Sequence, residues 1–174
     1  LYTIQDAENT MRHFVGRNYN EKCEISEGIS IRFTDAGHLL GSAHIEVWVT
    51  ENGVTKKILF SGDIGNHNMP LLNEPTPPLE ADYIVMESTY GDRLHEAVPD
   101  CVQVFADIIQ NTFDLGGKVI IPAFAVGRTQ ELLYYLRQIK ERNLVKGYGD
   151  FTIYLDSPLA IEATNIFKDM GRQY

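Results

Sequence analysis

The spacing of apolar residues along this 174-residue chain changes near residue 99. Ile4, Ala7, Met11, Phe14 and Val15 fall on one helical face and predict a helix over 3–19. Thr3 is placed to cap it, with Asp6 three residues later as in a capping box. Ile29-Ser30-Ile31-Arg32-Phe33 alternates apolar and polar residues, which predicts a strand with one buried face. Ile45-Glu46-Val47-Trp48-Val49 alternates too, Glu51-Asn52-Gly53 reads as a turn, and Lys57-Ile58-Leu59-Phe60-Ser61 returns as a third strand. Such short connections predict an antiparallel meander. The stretch Pro70 to Pro78 holds four of the seven prolines, which excludes helix and disfavours a central strand. Tyr83-Ile84-Val85-Met86 is a continuous apolar run, the pattern of a fully buried strand.

After Pro99 the period lengthens. Asp100 caps a helix, Phe105, Ile108, Ile109, Thr112 and Phe113 form its stripe, and Gly116-Gly117 ends it. Lys118-Val119-Ile120-Ile121 reads as a buried strand. Thr129 to Arg142 reads as a helix with Leu132, Leu133, Leu136 and Ile139 inward. Phe151 to Leu155 reads as a strand. Ser157 and Pro158 start a last helix with Leu159, Ala163, Ile166, Phe167 and Met170 inward. Alternating helices and strands mark a parallel layer, so the fold class is α/β, with a β-rich first part joined to an α/β second part near residues 92–100.

Composition adds limits. Hydrophobic residues make up 44% and charged residues 22%, a globular and not a disordered balance. No apolar run approaches the ~18 residues of a membrane span. Fifteen Lys and Arg against 24 Asp and Glu give a net charge of −9, which excludes a broad basic nucleic-acid surface but not a local phosphate site. The two cysteines, Cys23 and Cys101, have no metal or disulfide spacing and point to a reducing, cytoplasmic setting. The chain opens on Leu1 without a signal peptide or initiator Met, and is expected to be part of a longer protein.

Four segments can carry chemistry. In Asp35-Ala36-Gly37-His38-Leu39-Leu40-Gly41-Ser42, glycines bracket a histidine after a strand. That imidazole is either a metal ligand or a residue that caps a turn. In Ser61-Gly62-Asp63-Ile64-Gly65, a carboxylate leaves a strand into a glycine-flanked loop. It can bridge metal ions or orient a base, or accept hydrogen bonds in an Asx-turn. Glu87 directly follows an apolar strand and must find a partner, a metal or a proton. From Ile121 to Glu131 a strand, a small-residue loop and a helix start follow one another, a geometry that offers backbone N–H groups to a phosphate around Gly127 and Arg128. Of the other histidines, His44 lies too far along an extended stretch to share a metal with His38. His13 reads as packed or solvent-facing, and His67 and His95 are lesser candidates. No HxH, HExxH or CxxC occurs.

Taken in order, these segments resemble the β-CASP branch of the metallo-β-lactamase superfamily, the RNA-processing metallohydrolases of the ribonuclease J and pre-mRNA 3′-end endonuclease type. The resemblance runs almost end to end and places this chain centrally in such a protein. It implies the later portion of a metallo-β-lactamase αββα core over residues 1–95 and the opening of a β-CASP cap over 96–174. It makes His38 a zinc ligand, Asp63 a carboxylate shared by two zinc ions, and Glu87 the acidic residue of the first β-CASP motif. Asp63 and Glu87 are then catalytic, and Ser88, Gly127 and Arg128 are candidate substrate contacts. The family's His-x-His-x-Asp-His motif and its later cap histidines are not in this chain.

The implied function is zinc-dependent hydrolysis of phosphodiester bonds in single-stranded RNA by the longer protein. This chain alone is expected to be inactive and to hold zinc weakly at most, because two ligands do not close a zinc site. Glu87 is expected to act through a histidine outside the chain, and to lie near solvent or on backbone here. The alternatives are a non-catalytic scaffold subunit with the same fold, a metal-dependent hydrolase of DNA or of a small molecule, and a phosphate-binding α/β module unrelated to RNA. No membrane partner is implied, and the oligomeric state is not legible in these residues.

Overall fold

The computed structural model describes residues 1–77, 80–94 and 100–170. Pro78, His95 and the 95/96 domain boundary lie outside these described residues. The chain divides into two compact units. The first comprises Leu1–His67 and Glu74–Glu87, and the second comprises Asn68–Asn73 and the described residues from Ser88 onward.

The first unit opens with helix α1, Ile4–Thr10, and a 3-10 turn, Met11–His13. The Thr3–Asp6 capping box is present in both directions. The helix is much shorter than the 3–19 span its pattern predicts. Ile4, Met11, Phe14 and Val15 stay exposed, so no packing extends so short a helix past its cap.

A five-stranded sheet follows, in the order β1–β2–β3–β4–β5. Its strands are β1 Cys23–Ser26, β2 Ile29–Asp35, β3 Ala43–Glu51, β4 Val54–Phe60 and β5 Tyr83–Val85. The first four form the expected antiparallel meander, with β1 added at its edge, and β5 pairs parallel to β4. Asn52 and Gly53 both take positive φ, 50° and 76°, the two-residue turn whose twist suits a hairpin. The β5 run is not the fully buried strand its composition predicts. Tyr83, Ile84, Val85 and Met86 are all exposed, because β5 pairs only with β4 and neither face is covered among the described residues.

One face of the sheet is polar yet buried. Arg32 of β2 lies opposite Glu46 of β3, and Lys57 of β4, which lies opposite Trp48, reaches Glu46 on the diagonal. Glu46 is 1% exposed and pairs with both cations. Trp48 lies beside them, with the amines of Lys22 and Lys57 at 4.0 and 5.2 Å from its ring centre. Burial pushes the Glu46 carboxyl up, but hydrogen bonds and attraction from Arg32 and Lys57 outweigh that and hold it below its ordinary 4.5.

Glu46→Gln strands two largely covered cations, and the expected cost is about 3 kcal/mol. The melting temperature should fall by ~6–12 °C at neutral pH. Because the folded pKa lies below the unfolded one, Glu46 stabilises above about pH 4.5 and its contribution fades as pH falls through the folded value. Melting curves at several pH values check this, since the gap between wild type and variant should close on acidification.

The second unit holds α2 Cys101–Asp114, α3 Arg128–Glu141 and α4 Pro158–Met170. Asp100 caps α2 through the Gln103 N–H, and Gly116 ends it at φ 70°. The core gathers Ala106 and Ile109 of α2, Leu136 and Ile139 of α3, and Val145, with Phe105, Phe113 and Phe151 packed against them. Ile108, Leu159 and Ile166 are not inward as their spacing predicts. Ala106 and Ile109 face the core of α2, and Ala160 and Ala163 that of α4. The runs 118–121 and 151–155 are not strands. They form no ladder among the described residues, and Ile120 and Tyr154 are almost wholly exposed. Both runs line an apolar cavity of about 420 Å³ beside α2 and α3. The buried amide of Gln130 fastens α3 to α4. It donates to Ala125 O at 3.0 Å and Thr164 Oγ1 at 3.0 Å and accepts from Gly127 N at 2.7 Å.

Candidate functional site

Strand direction assembles the site. β2, β4 and β5 run one way and β3 the other, so the ends of β2, β4 and β5 and the start of β3 share one edge. The His38 loop, the Asp63 loop and Glu87 leave the sheet at that edge.

The loop after β2 is closed on itself. Asp35 Oδ1 accepts from Gly37 N at 2.8 Å, and Ser42 Oγ accepts from the backbone N–H groups of His38 and Leu39 at 3.0 and 3.1 Å. The Tyr19 hydroxyl donates to Ser42 O at 2.8 Å. The loop after β4 docks onto it, with Gly65 N donating to Ala36 O at 2.8 Å. A side chain at Gly65 would put its first carbon 1.8 Å from Gly37 O, so this contact admits only glycine.

These loops bring His38 Nε2 within 4.0 Å of Asp63 Oδ2. The two side chains are 44% and 78% exposed, and neither makes a hydrogen bond among the described residues. The turn-capping alternative for His38 is therefore not realised, because Ser42 does that work. The Asx-turn alternative for Asp63 is not realised either.

Glu87 lies beside them. Its Oε1 accepts from Ile64 N at 2.7 Å, one residue past Asp63, and its own N–H donates to Ser61 Oγ at 3.0 Å. Glu87 is thus bonded to backbone, as expected. Behind the loops, buried His44 donates from Nδ1 to Ser61 O at 2.6 Å. The sequence reading sets His44 aside as a ligand and assigns it no other role. A lone histidine inside an alternating strand gives no signal of a loop contact. His67 pairs with Glu74.

In the second unit, Ser88 is exposed and its carbonyl accepts from Gly91 N at 3.0 Å. Gly127 begins α3 at φ 87°, and its N–H is used by Gln130. Arg128 donates to Glu131 at 2.6 Å on its own helix. An intramolecular carboxylate therefore meets the cation that stands at the positive end of the helix dipole.

An imidazole and a carboxylate are donors that suit zinc. They are also only two, and among the described residues no group of three or more His, Cys, Asp or Glu side chains converges. The residues present fit part of a metal centre and do not close one.

Known proteins resemble this chain along almost its whole length. Residues 129–174 match the Beta-Casp domain family. The chain is 36% identical over 170 residues to Ribonuclease TTHA0252 of Thermus thermophilus, covering 98% of this chain and 37% of that protein. It is 38% identical over 173 residues to an RNase J-like protein of Methanocaldococcus jannaschii, covering 95% and 38%. It is 32% identical over 171 residues to Cleavage and polyadenylation specificity factor 73 of Drosophila melanogaster, covering 97% and 24%. The chain belongs to the β-CASP branch of the metallo-β-lactamase superfamily. It spans less than two fifths of the length of these relatives. No helix among the described residues is long and apolar enough to cross a membrane.

Proposed function

We propose that the full-length protein carrying this chain hydrolyses phosphodiester bonds in single-stranded RNA. One observation carries the reading. The side chains of His38 and Asp63 converge to 4.0 Å, exposed and making no hydrogen bonds among the described residues, at the sheet edge that also presents Glu87. Relatives named ribonuclease, and one named for cleavage and polyadenylation, support RNA as the substrate.

His38 and Asp63 are two donors to a pair of zinc ions whose other donors lie outside the described residues. When bound, the metal supplies Lewis acidity and lowers the pKa of water at the scissile phosphate. The chain's own residues do the positioning. Asp63 turns its charge outward from a loop that Gly65 pins. Glu87, held to that loop through Ile64, orients the histidine that protonates the leaving oxygen. Ser88, Gly127 and Arg128 are substrate contacts, with Arg128 exchanging Glu131 for an RNA phosphate. The two cysteines, in no disulfide, support a cytoplasmic setting.

The test is cleavage of an end-labelled single-stranded RNA by the full-length protein before and after chelation. Cutting should stop with chelator and return with zinc. Glu87→Gln should slow it by ~10²–10⁴ with metal content unchanged. RNA binding without cutting under every metal condition would make the protein a scaffold, and preferential cutting of the matching DNA strand would replace the substrate.

A further inference from the structure

We infer that His44 is a positioning residue for the site. It holds the strand-to-loop junction at Ser61, and through it both Asp63 and Glu87. The inference rests on the reading of Asp63 and Glu87 given above.

His44 is the second residue of β3, lies across from Thr34 of β2 and is 2% exposed. Burying an imidazole inside a strand is costly unless its nitrogens are used, and an aliphatic residue would fill the space more cheaply. The use is visible. The Ser61 carbonyl can only accept, so Nδ1 of His44 carries the proton and the ring's tautomer is set.

Ser61 is a junction with all its polar groups engaged. Its N–H donates to Val85 O at 2.9 Å, continuing the β4–β5 pairing by one residue. Its hydroxyl accepts from Glu87 N at 3.0 Å and donates to Gly62 O at 2.6 Å. Its carbonyl takes the His44 proton at 2.6 Å. Two residues on stands Asp63, and the next N–H, that of Ile64, holds Glu87 Oε1 at 2.7 Å. A short chain of bonds thus runs from β3 through Ser61 to both carboxylates. In a buried setting such a chain is stiff, and losing one link leaves a carbonyl unsatisfied. His44 touches no reacting atom in this scheme. It acts by fixing where the Asp63 loop leaves β4.

The experiment compares His44→Leu, His44→Asn, Ser61→Ala and Asp63→Ala in the full-length protein on the same RNA. Asparagine places an amide N–H near the position of Nδ1, whereas leucine removes the donor. His44→Leu should lower kcat by ~10–10²-fold, the scale for a misplaced catalytic group, with KM for RNA unchanged. His44→Asn should recover most of that loss. Amide exchange at Ile64 and Glu87 should quicken in the leucine variant and not in the asparagine variant.

Should His44→Leu fail to fold, His44→Phe, which keeps a ring and removes the Nδ1 donor, gives the same reading, while Ser61→Ala cuts the next link, to the Glu87 N–H, and should lower kcat alone. Wild-type kcat in folded His44→Leu or His44→Phe, or equal losses for His44→Leu and His44→Asn that track melting temperature, would overturn the inference. Asp63→Ala separates the two levels. If it cuts RNA at the wild-type rate, the reading of the site fails. If it is inactive while His44→Leu keeps wild-type kcat, only the role of His44 fails.

Discussion

Asp63→Ala should reduce RNA cleavage by the full-length protein ~10³-fold or more while leaving the fold intact. In the proposed function Asp63 is a metal donor; such a donor stabilises developing charge by several kcal/mol, and each 1.36 kcal/mol is a factor of ten in rate. The fold should be indifferent for a separate reason. The carboxylate is 78% exposed and makes no hydrogen bond among the described residues, so its removal costs only a long, exposed contact with His38. Stability should stay within ~0.5 kcal/mol of wild type, the range for such surface positions. Steady-state cleavage and a thermal melt on the same preparation check both halves. An inactive variant that also melts far lower would mean that Asp63 is structural.

The second large effect belongs to a residue without a side chain. Gly65→Ala would place a carbon 1.8 Å from Gly37 O and 2.7 Å from His38 N, and both of those are backbone atoms. Neither can rotate aside, so the two loops must separate and the bond from Gly65 N to Ala36 O is lost. The loops that separate are those that carry His38 and Asp63. Overpacking of this kind costs ~1–3 kcal/mol, and displacement of the donors by about 1 Å should cost ~10²-fold in rate. Wild-type activity and melting in this variant would show that the loops do not need their close contact.

Much of the site was legible because strand ends and glycines mark it. Asp63 and Glu87 each follow an apolar run and His38 follows an alternating strand, and topology then brings the three ends to one edge. The meander was legible for the same reason, since strict alternation over β2 and β3 and the Asn52-Gly53 turn leave little freedom. The misses share one physical cause, which is dependence on partners. Lys118–Ile121 and Phe151–Leu155 have strand-like composition, but a strand exists only with a ladder neighbour. β1 escaped because it is four residues long and its register shifts between Glu24 and Ser26. The helix predicted over 3–19 ends early because its apolar face meets nothing that would repay the ordering. His44 was opaque because its value lies in a carbonyl 17 positions away.

The most direct measurement is the zinc content of the full-length protein after exhaustive dialysis, for wild type, His38→Ala and Asp63→Ala prepared alike. The account predicts about two zinc ions per wild-type chain, and a loss of at least one from each variant while the fold is retained. Equal zinc in all three proteins, or none in a wild type that still cuts RNA, would contradict it.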